Sequence, residues 1–244
     1  MRPGSFAMLP DTLAVFPLVG VLLLPHGRLP LNIFEPRYLA MTQDTLGAES
    51  LIGMIQPSDP ADASENPPLY NVGCAGRISG FAETKDNCFL ITLTGLCRFA
   101  VREELDLVQG YRRVRPDWSA HAGDMRMPDP AVVPRDRLLP LLKAYLAAHD
   151  IEVDWHAIEK VSSDQLVTSL AMACPFAPNE KQALLEAPHL ADRAELMISL
   201  LAMAALDGGD TDLDARLISI IGETSTSLIV TAVIAGTHEA EIAD

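Results

Sequence analysis

The spacing of apolar residues changes once along this 244-residue chain, and that change limits the fold more than any motif does. Up to about Trp118 the apolar residues come in short runs bounded by Gly, Pro, Asn and Asp; beyond Pro134 they recur at helical spacing. A period of two suits a strand with one buried face, and a period near 3.6 suits an amphipathic helix. Strands first and helices second is the pattern of an α+β arrangement in two subdomains, because each set must bury its own apolar faces. Hydrophobic residues make up 49% of the chain and the mean hydropathy is +0.18. That is enough apolar material for a core, and too much for a disordered chain.

Individual elements follow from the same reading. Ala14–Leu18 and Val21–Leu24 are near-continuous apolar runs, as expected of buried strands. A turn at Pro25-His26-Gly27 precedes an extended Leu29–Ile33, and Pro36 suits the first position of a helix ending near Thr45. Leu51–Gln56, Leu69–Ile78 and Gly80–Thr84 read as strands, with a polar loop from Pro57 to Pro68 and a hairpin turn at Lys85-Asp86-Asn87. Phe89, Ile91 and Leu93 alternate with Leu90, Thr92 and Thr94, the signature of a half-buried strand. Arg98–Glu104 and Tyr111–Pro116 complete a set expected to form a small barrel or a pair of packed sheets.

Beyond the strands, residues 119–134 contain Gly123 and three prolines and read as a linker. Helices are expected over Arg135–Asp150 (with Pro140 inside the pattern), from Ser162 to about Cys174, over Pro178–Ala187 and over Leu190–Leu206. Ser162 and Gln165 have the spacing of a capping box. Leu217–Ile221 and Leu228–Ile234 are β-branched runs compatible with a hairpin. The expected organisation is a β-rich subdomain over residues 10–118, the linker at 119–134, a helical subdomain over 135–206 and a tail of different character at 207–244.

Charge and motifs narrow the function. The formal charge of −15 lies mostly in the second half: residues 1–120 carry 10 Lys+Arg against 13 Asp+Glu, and residues 121–244 carry 8 against 20. Such acidity opposes nucleic-acid binding, which draws its affinity from basic side chains that displace counterions. The basic residues from Arg98 to Arg115 are interrupted by Glu103, Glu104 and Asp106 and read as solvated strand faces. The four lysines, Lys85, Lys143, Lys160 and Lys181, are followed by Asp, Ala, Val and Gln, so no P-loop is present. Glycines in the dinucleotide-binding pattern are also missing, and no cofactor is expected. Four cysteines without a CxxC pair argue against a metal centre and for buried thiols in a reducing compartment. Gly76–Gly80 misses the nucleophile-elbow pattern by one position at Ser79. A cysteine–histidine pair involving Cys97 or Cys174 stays open, because such partners lie far apart in sequence. The apolar Leu13–Leu24 contains Pro17 and Gly20, follows Asp11 and lacks a small-residue cleavage site, so it does not read as a signal peptide. It is also too short to span a bilayer, and a soluble, cytoplasmic protein is expected.

The most unusual local composition is Leu29–Tyr38, LPLNIFEPRY. It reads first as a buried turn in which Asn32, Glu35 and Arg37 fix a barrel rim, and second as a contact surface. At this segment the chain resembles the Lon N-terminal, or substrate-binding, domain family, in particular short bacterial proteins made of that domain alone. The resemblance is carried by Phe16-Pro17-Leu18, Leu23-Leu24-Pro25, the LPLNIFEPRY segment, Gly73–Gly80, Thr94–Phe99, Pro175–Glu186 and Arg193–Leu201. It implies a PUA-like β-barrel or packed-sheet subdomain followed by an α-helical bundle. In full-length Lon proteases this region contributes to recognition of unfolded or tagged proteins and to assembly, and the ATPase and Ser-Lys protease modules follow it. With neither module's motifs present, the resemblance implies a non-catalytic protein- or peptide-binding module, an adaptor or regulator in protein quality control. Its expected partner is an unfolded or specific polypeptide, and the candidate binding or rim residues are Asn32, Phe34, Glu35, Arg37, Tyr38, Arg77 and Arg98. Two alternatives remain at this stage: RNA binding, since PUA-like barrels include RNA binders, and a cryptic hydrolase using Cys97 or Ser79. The charge balance predicts a flat titration with structured RNA at low salt, where phosphate contacts are strongest; saturable binding there would overturn this reading.

Overall fold

The computed structural model describes residues 9–127, 129–148 and 153–205. The expected β-branched hairpin in the tail lies outside these residues. The chain divides into two units, Met1–Met127 and Pro128–Asp244. The first contains the strands and one α-helix, and the second the remaining α-helices, an α+β fold.

Six strands are formed in the first unit: β1 (Leu13–Pro17), β2 (Arg28–Ile33), β3 (Leu51–Ile55), β4 (Val72–Glu83), β5 (Phe89–Val108) and β6 (Tyr111–Asp117). Their order is β2-β5-β4-β3-β1-β6, and β6 pairs again with β5. The circuit β5-β4-β3-β1-β6-β5 is therefore closed, and β2 lies beside the first half of β5. β1 and β3 are parallel, which requires a crossover; helix α1 (Pro36–Leu46) lies in the connection between them. β5 changes partners along its 20 residues: Phe89–Thr94 meets β2, and Ala100–Val108 meets β6. Register shifts at Ala75/Gly76, Ile78/Gly80, Val101/Glu103 and Leu105/Val108 supply the bends that such closure needs.

Long strands replace pairs of expected short ones. Leu69–Ile78 and Gly80–Thr84 belong largely to the single β4, and Cys88–Thr94 and Arg98–Glu104 to the single β5, because the bulges bend the strands without breaking them. Val21–Leu24 is not a strand. Its four side chains are buried, but Gly20 turns the chain out of β1 at φ +72°, and the run fills the interior instead of joining the ladder. Continuous apolarity reports burial on all sides, which a packed loop also satisfies.

The core of this unit gathers Leu13, Val15, Leu51, Ile55, Ala75 and Val114 around Phe99. The Trp118 ring meets Phe99 edge-on at 5.8 Å, and its indole N–H donates to the Pro10 carbonyl. Gly53 and Gly73 flank the Phe99 ring so closely that a Cβ at either position would lie within 2.9 Å of it. Residues 119–134 hold two 3-10 segments, Ser119–Met125 and Pro130–Val132.

The second unit contains α2 (Arg135–Ala148), α3 (Trp155–Lys160), α4 (Ser163–Ala173), α5 (Pro178–Glu186) and α6 (Leu190–Ala204). α2 continues through Pro140. α3 was not expected from the sequence, since six residues are too few to establish a helical period; Asp154 caps it by accepting from the amides of His156 and Ala157. Ser162 occupies the N-cap of α4 without a side-chain cap bond, so the expected capping box is not formed. The reach-back hydrogen bond instead occurs on the next two helices, where Glu180 accepts from the Ala177 amide and Asp192 from the His189 amide.

Three helix ends in this unit receive a cation from another helix. Arg135 donates to the carbonyls of Ile158 and Val161 at the end of α3, Lys181 to Met172 near the end of α4, and Arg193 to Leu184 near the end of α5. Terminal carbonyls lack intrahelical donors and sit at the negative end of the helix dipole, so a cation there satisfies both needs.

The tight fit around Phe99 yields a stability prediction. In Gly73→Ala the new methyl would stand 2.6 Å from both the Met54 carbonyl oxygen and Phe99 Cζ, and the backbone oxygen has little freedom to retreat. A loss of about 1–3 kcal/mol is expected, read in urea denaturation as a lower midpoint at unchanged slope.

Candidate functional site

β2 alternates cleanly: Leu29, Leu31 and Ile33 are buried, while Arg28 and Asn32 face outward. Register places Asn32 opposite Leu90 on β5, and Leu90 opposite Ala82 on β4. The outer row therefore carries an apolar residue where Thr92 and Thr94 would lead one to expect a polar one. Leu90 is 48% exposed and Phe34, immediately past β2, is 41% exposed. On β4, Phe81 is 46% exposed and its ring lies 5.1 Å from that of Phe89, which pairs with Ile33. Register puts Phe81 opposite Ile91, on the face opposite to Leu90, so the outer face carries Leu90 beside Asn32, with Phe34 just past β2, while Phe81 belongs to the row of Ile91 and Phe89. Strand pairing holds such groups at little conformational freedom, as a contact surface needs.

The remaining residues of the LPLNIFEPRY segment have a different task. Glu35 precedes Pro36 at the start of α1. Its carboxylate accepts from Arg37 Nε at 3.0 Å and pairs with Nη2 at 2.9 Å. The Arg37 guanidinium lies 4.7 Å above the ring of Tyr38, which is buried 4.2 Å from the ring of Phe16 on β1. Burial pushes the Tyr38 hydroxyl up, against the opposing charge of Arg37. At the other end of α1, Asp44 accepts from Tyr111 at 2.8 Å and from Gln109 at 3.0 Å. Burial, followed by that bond, pushes the Tyr111 hydroxyl up to about 12. These contacts fasten α1 to β1 and to the β5–β6 turn. Glu35, Arg37 and Tyr38 thus interact with one another, while Asn32 stands apart on the outer face.

The two other arginines singled out by sequence are also separate. Arg77 is exposed on β4 and donates to the Glu49 carbonyl at 2.9 Å. Arg98 is only 3% exposed and grips Asp124 in a two-pronged pair, Nε to Oδ2 and Nη2 to Oδ1, both at 2.8 Å; its backbone amide adds a third bond to Oδ2. This pair binds the 3-10 segment Ser119–Met125 to β5. Burial by itself would raise the Asp124 carboxyl, but the hydrogen bonds and charge of Arg98 outweigh it and hold the group below the usual carboxylate range.

Of the nucleophiles considered from sequence, Cys174 is buried with its thiol pushed up to about 12, and neither Cys97 nor Ser79 is set up for attack. Burial pushes the Cys97 thiol up to about 12, with Asp124 adding to the effect and Arg98 opposing it. Its sulfur faces the carbonyl oxygens of Arg98 and His121, at 3.2 and 3.4 Å, with backbone acceptors in place of a base. A protonated, buried thiol is inert. Ser79 Oγ donates to the Thr92 carbonyl and accepts from the Thr94 hydroxyl. Among the described residues no group of three or more His, Cys, Asp or Glu is placed to hold a metal ion, and no helix is long and apolar enough to cross a membrane. Sequence reasoning missed Leu90, Phe81 and Asp124. Leu90 was visible as the one apolar residue on the polar side of its alternation, and Phe81 and Asp124 carried no comparable signal.

The family model of the ATP-dependent protease La (LON) substrate-binding domain matches residues 12–203. Lon protease 2 of Thermus thermophilus is 25% identical over 80% of this chain, and Lon protease 2 of Sorangium cellulosum is 32% identical over 43%. The matches cover only 24% and 13% of those relatives' lengths. Among solved structures, a Lon N-terminal domain protein from Xanthomonas campestris aligns over 77% of this chain and 97% of its own, with a TM-score of 0.55 and 20% identity. The N-terminal domain of Mycobacterium avium complex Lon protease aligns over 78% and 98%, with a TM-score of 0.56 and 14% identity. All these matches fall on the substrate-binding region, and none on an ATPase or protease module.

The Arg98–Asp124 pair gives a pH-dependent prediction. Asp124→Asn leaves a buried guanidinium without its counter-charge and is expected to cost about 3 kcal/mol near neutrality. A carboxyl with a depressed folded pKa contributes fully above its unfolded value of about 3.9 and loses the contribution as pH falls through the folded value. Urea denaturation should therefore separate wild type from the variant between about pH 5 and 7, and the separation should shrink progressively as pH falls below about 4; a constant separation would contradict the assignment.

Proposed function

Because the chain belongs to the Lon substrate-binding domain family, we propose that it is a non-catalytic module that holds polypeptide, serving as an adaptor or regulator in protein quality control. The observation that supports this reading is the pair of half-exposed apolar side chains at one end of the sheet, Leu90 on the outer face of β5 and Phe34 just past β2. An unfolded polypeptide differs from a folded one chiefly in its accessible apolar side chains, so a fixed apolar surface discriminates between them by burying area available only in the unfolded partner. Asn32 lies beside Leu90 and adds polar capacity for backbone groups of a bound segment. Within this reading Glu35, Arg37 and Tyr38 are scaffold, and Arg98 is structural. The chain's acidity weighs against RNA as the partner.

A permanently unfolded probe, reduced and carboxymethylated α-lactalbumin, tests the proposal by fluorescence anisotropy. Wild type is expected to bind it in preference to the native protein. The double variant Phe34→Asp, Leu90→Asp should weaken binding at least about tenfold, equivalent to about 1.4 kcal/mol, with the melting temperature unchanged. No binding by wild type, or equal binding by the variant, would refute the assignment.

A further inference from the structure

The three cations that close helix ends in the second unit are not equivalent. Two are arginines, Arg135 and Arg193, whose guanidinium groups keep their charge at any accessible pH. The third, at the junction of α4 and α5, is a lysine. Lys181 is 4% exposed, and its Nζ lies 3.3 Å from the Met172 carbonyl oxygen. The two buried cations occupy matching positions: Lys181 reaches back nine residues to Met172, and Arg193 reaches back nine to Leu184. An amine in the place of a guanidinium is the one member of the set able to give up its proton.

We propose that Lys181 is a proton-exchanging cap, so that the helical unit releases a single proton from the α4–α5 junction without losing the hydrogen bond that joins the two helices. On release the proton passes from Nζ to solvent, and the neutral amine keeps two N–H donors for the Met172 carbonyl. What disappears is a buried charge. Among the described residues the charged or titratable groups on these elements are Asp164 on α4 and Cys174 at its end, Glu180 and Glu186 on α5 itself, and Asp192, Arg193 and Glu195 on α6; Asp192 accepts from the His189 amide and Glu195 pairs with Arg137. Cys174 is buried and its thiol is pushed up to about 12, so it stays neutral. Arg193 is bound to the Leu184 carbonyl, Glu180 to the Ala177 amide and Glu186 to the Gln182 side chain. Burial draws the Lys181 ammonium down to about 8, against the smaller opposing effect of Cys174. In unfolded chain the amine keeps its proton up to about pH 10.4. Between these values the unfolded chain binds the extra proton, so the lysine's contribution to stability rises with pH across that window. The thiols of Cys97 and Cys174, raised by burial, act in the opposite direction above their unfolded value of about 8.5. Total stability therefore mixes the effects, and a difference between variants isolates the lysine.

The test uses the full chain. With four lysines in the sequence, carbon-13 labelling of lysine Cε, with Lys181→Met to assign the signal, follows the amine directly. The Lys181 signal is expected to titrate near pH 8 in the folded protein. The melting-temperature difference between wild type and Lys181→Met should move in favour of wild type as pH rises from 7 to 10. A folded-state midpoint near the ordinary value of about 10.4 would overturn the proposal, as would a difference that stays flat. Should the methionine variant fail to fold, Lys181→Arg supplies the assignment and the wild-type titration alone decides the matter.

Discussion

A ring of strands closes only if some strand leaves one neighbour's register and enters another's, and β5 does this for the whole first unit. Its first half is held between β2 and β4, and its second half turns onto β6. Two features allow the turn. Bulges supply the extra residue wherever pairing changes, and Phe99 on the same strand fills the space inside the bend. The glycines facing Phe99 on β3 and β4 follow from this, because a large ring at the centre of a small barrel leaves no volume for side chains opposite it. The outward face is a by-product of the same strand: once the inward positions are fixed by packing, Leu90 has only the solvent side to occupy.

The helical unit answers a different constraint. Its helices are short, between 6 and 15 residues, so unpaired terminal groups form a large share of the backbone. Cations from one helix placed on the last carbonyls of another, and acidic side chains reaching back to first-turn amides, let short helices end inside a packed body. Arg135 joins α2 to α3, Lys181 joins α5 to α4, and Arg193 joins α6 to α5, so each cap is also a tertiary contact.

Local patterns in the sequence were read well and distant partnerships poorly, for physical reasons. The alternation from Phe89 to Thr94, the Pro36 start of α1 and the Pro-bounded helices α4 and α5 follow from neighbouring residues alone. Ser162 has the right spacing for a cap and does occupy the N-cap of α4, but its side chain makes no cap bond, which spacing alone does not decide. The Val21–Leu24 run signalled burial, which does not distinguish a strand from a loop packed inside a barrel. The sequence places Arg98 among basic residues on solvated strand faces, but the structure buries it, as it does Arg112; the Arg98 partner Asp124 is 26 residues away, in a stretch that reads as a linker. Of the candidate surface, Phe34 and Asn32 were named from composition. Leu90 is the apolar member of an otherwise polar row, but its place beside Asn32 follows only from the β2–β5 register, which no local pattern encodes.

The middle of β2 bears on how the outer surface coexists with other copies of the same chain. Among the described strands β2 pairs with β5 alone, and it carries Pro30 at its centre. Sheets accommodate proline where its missing donor faces away from the neighbouring strand. A chain arriving at that border would find the hydrogen-bonding sequence broken halfway, so sideways growth of the sheet into a fibre is discouraged at its root. Stickiness and solubility are thereby assigned to different places: apolar side chains stand on β5 and just past β2, and an interrupted backbone guards the β2 edge.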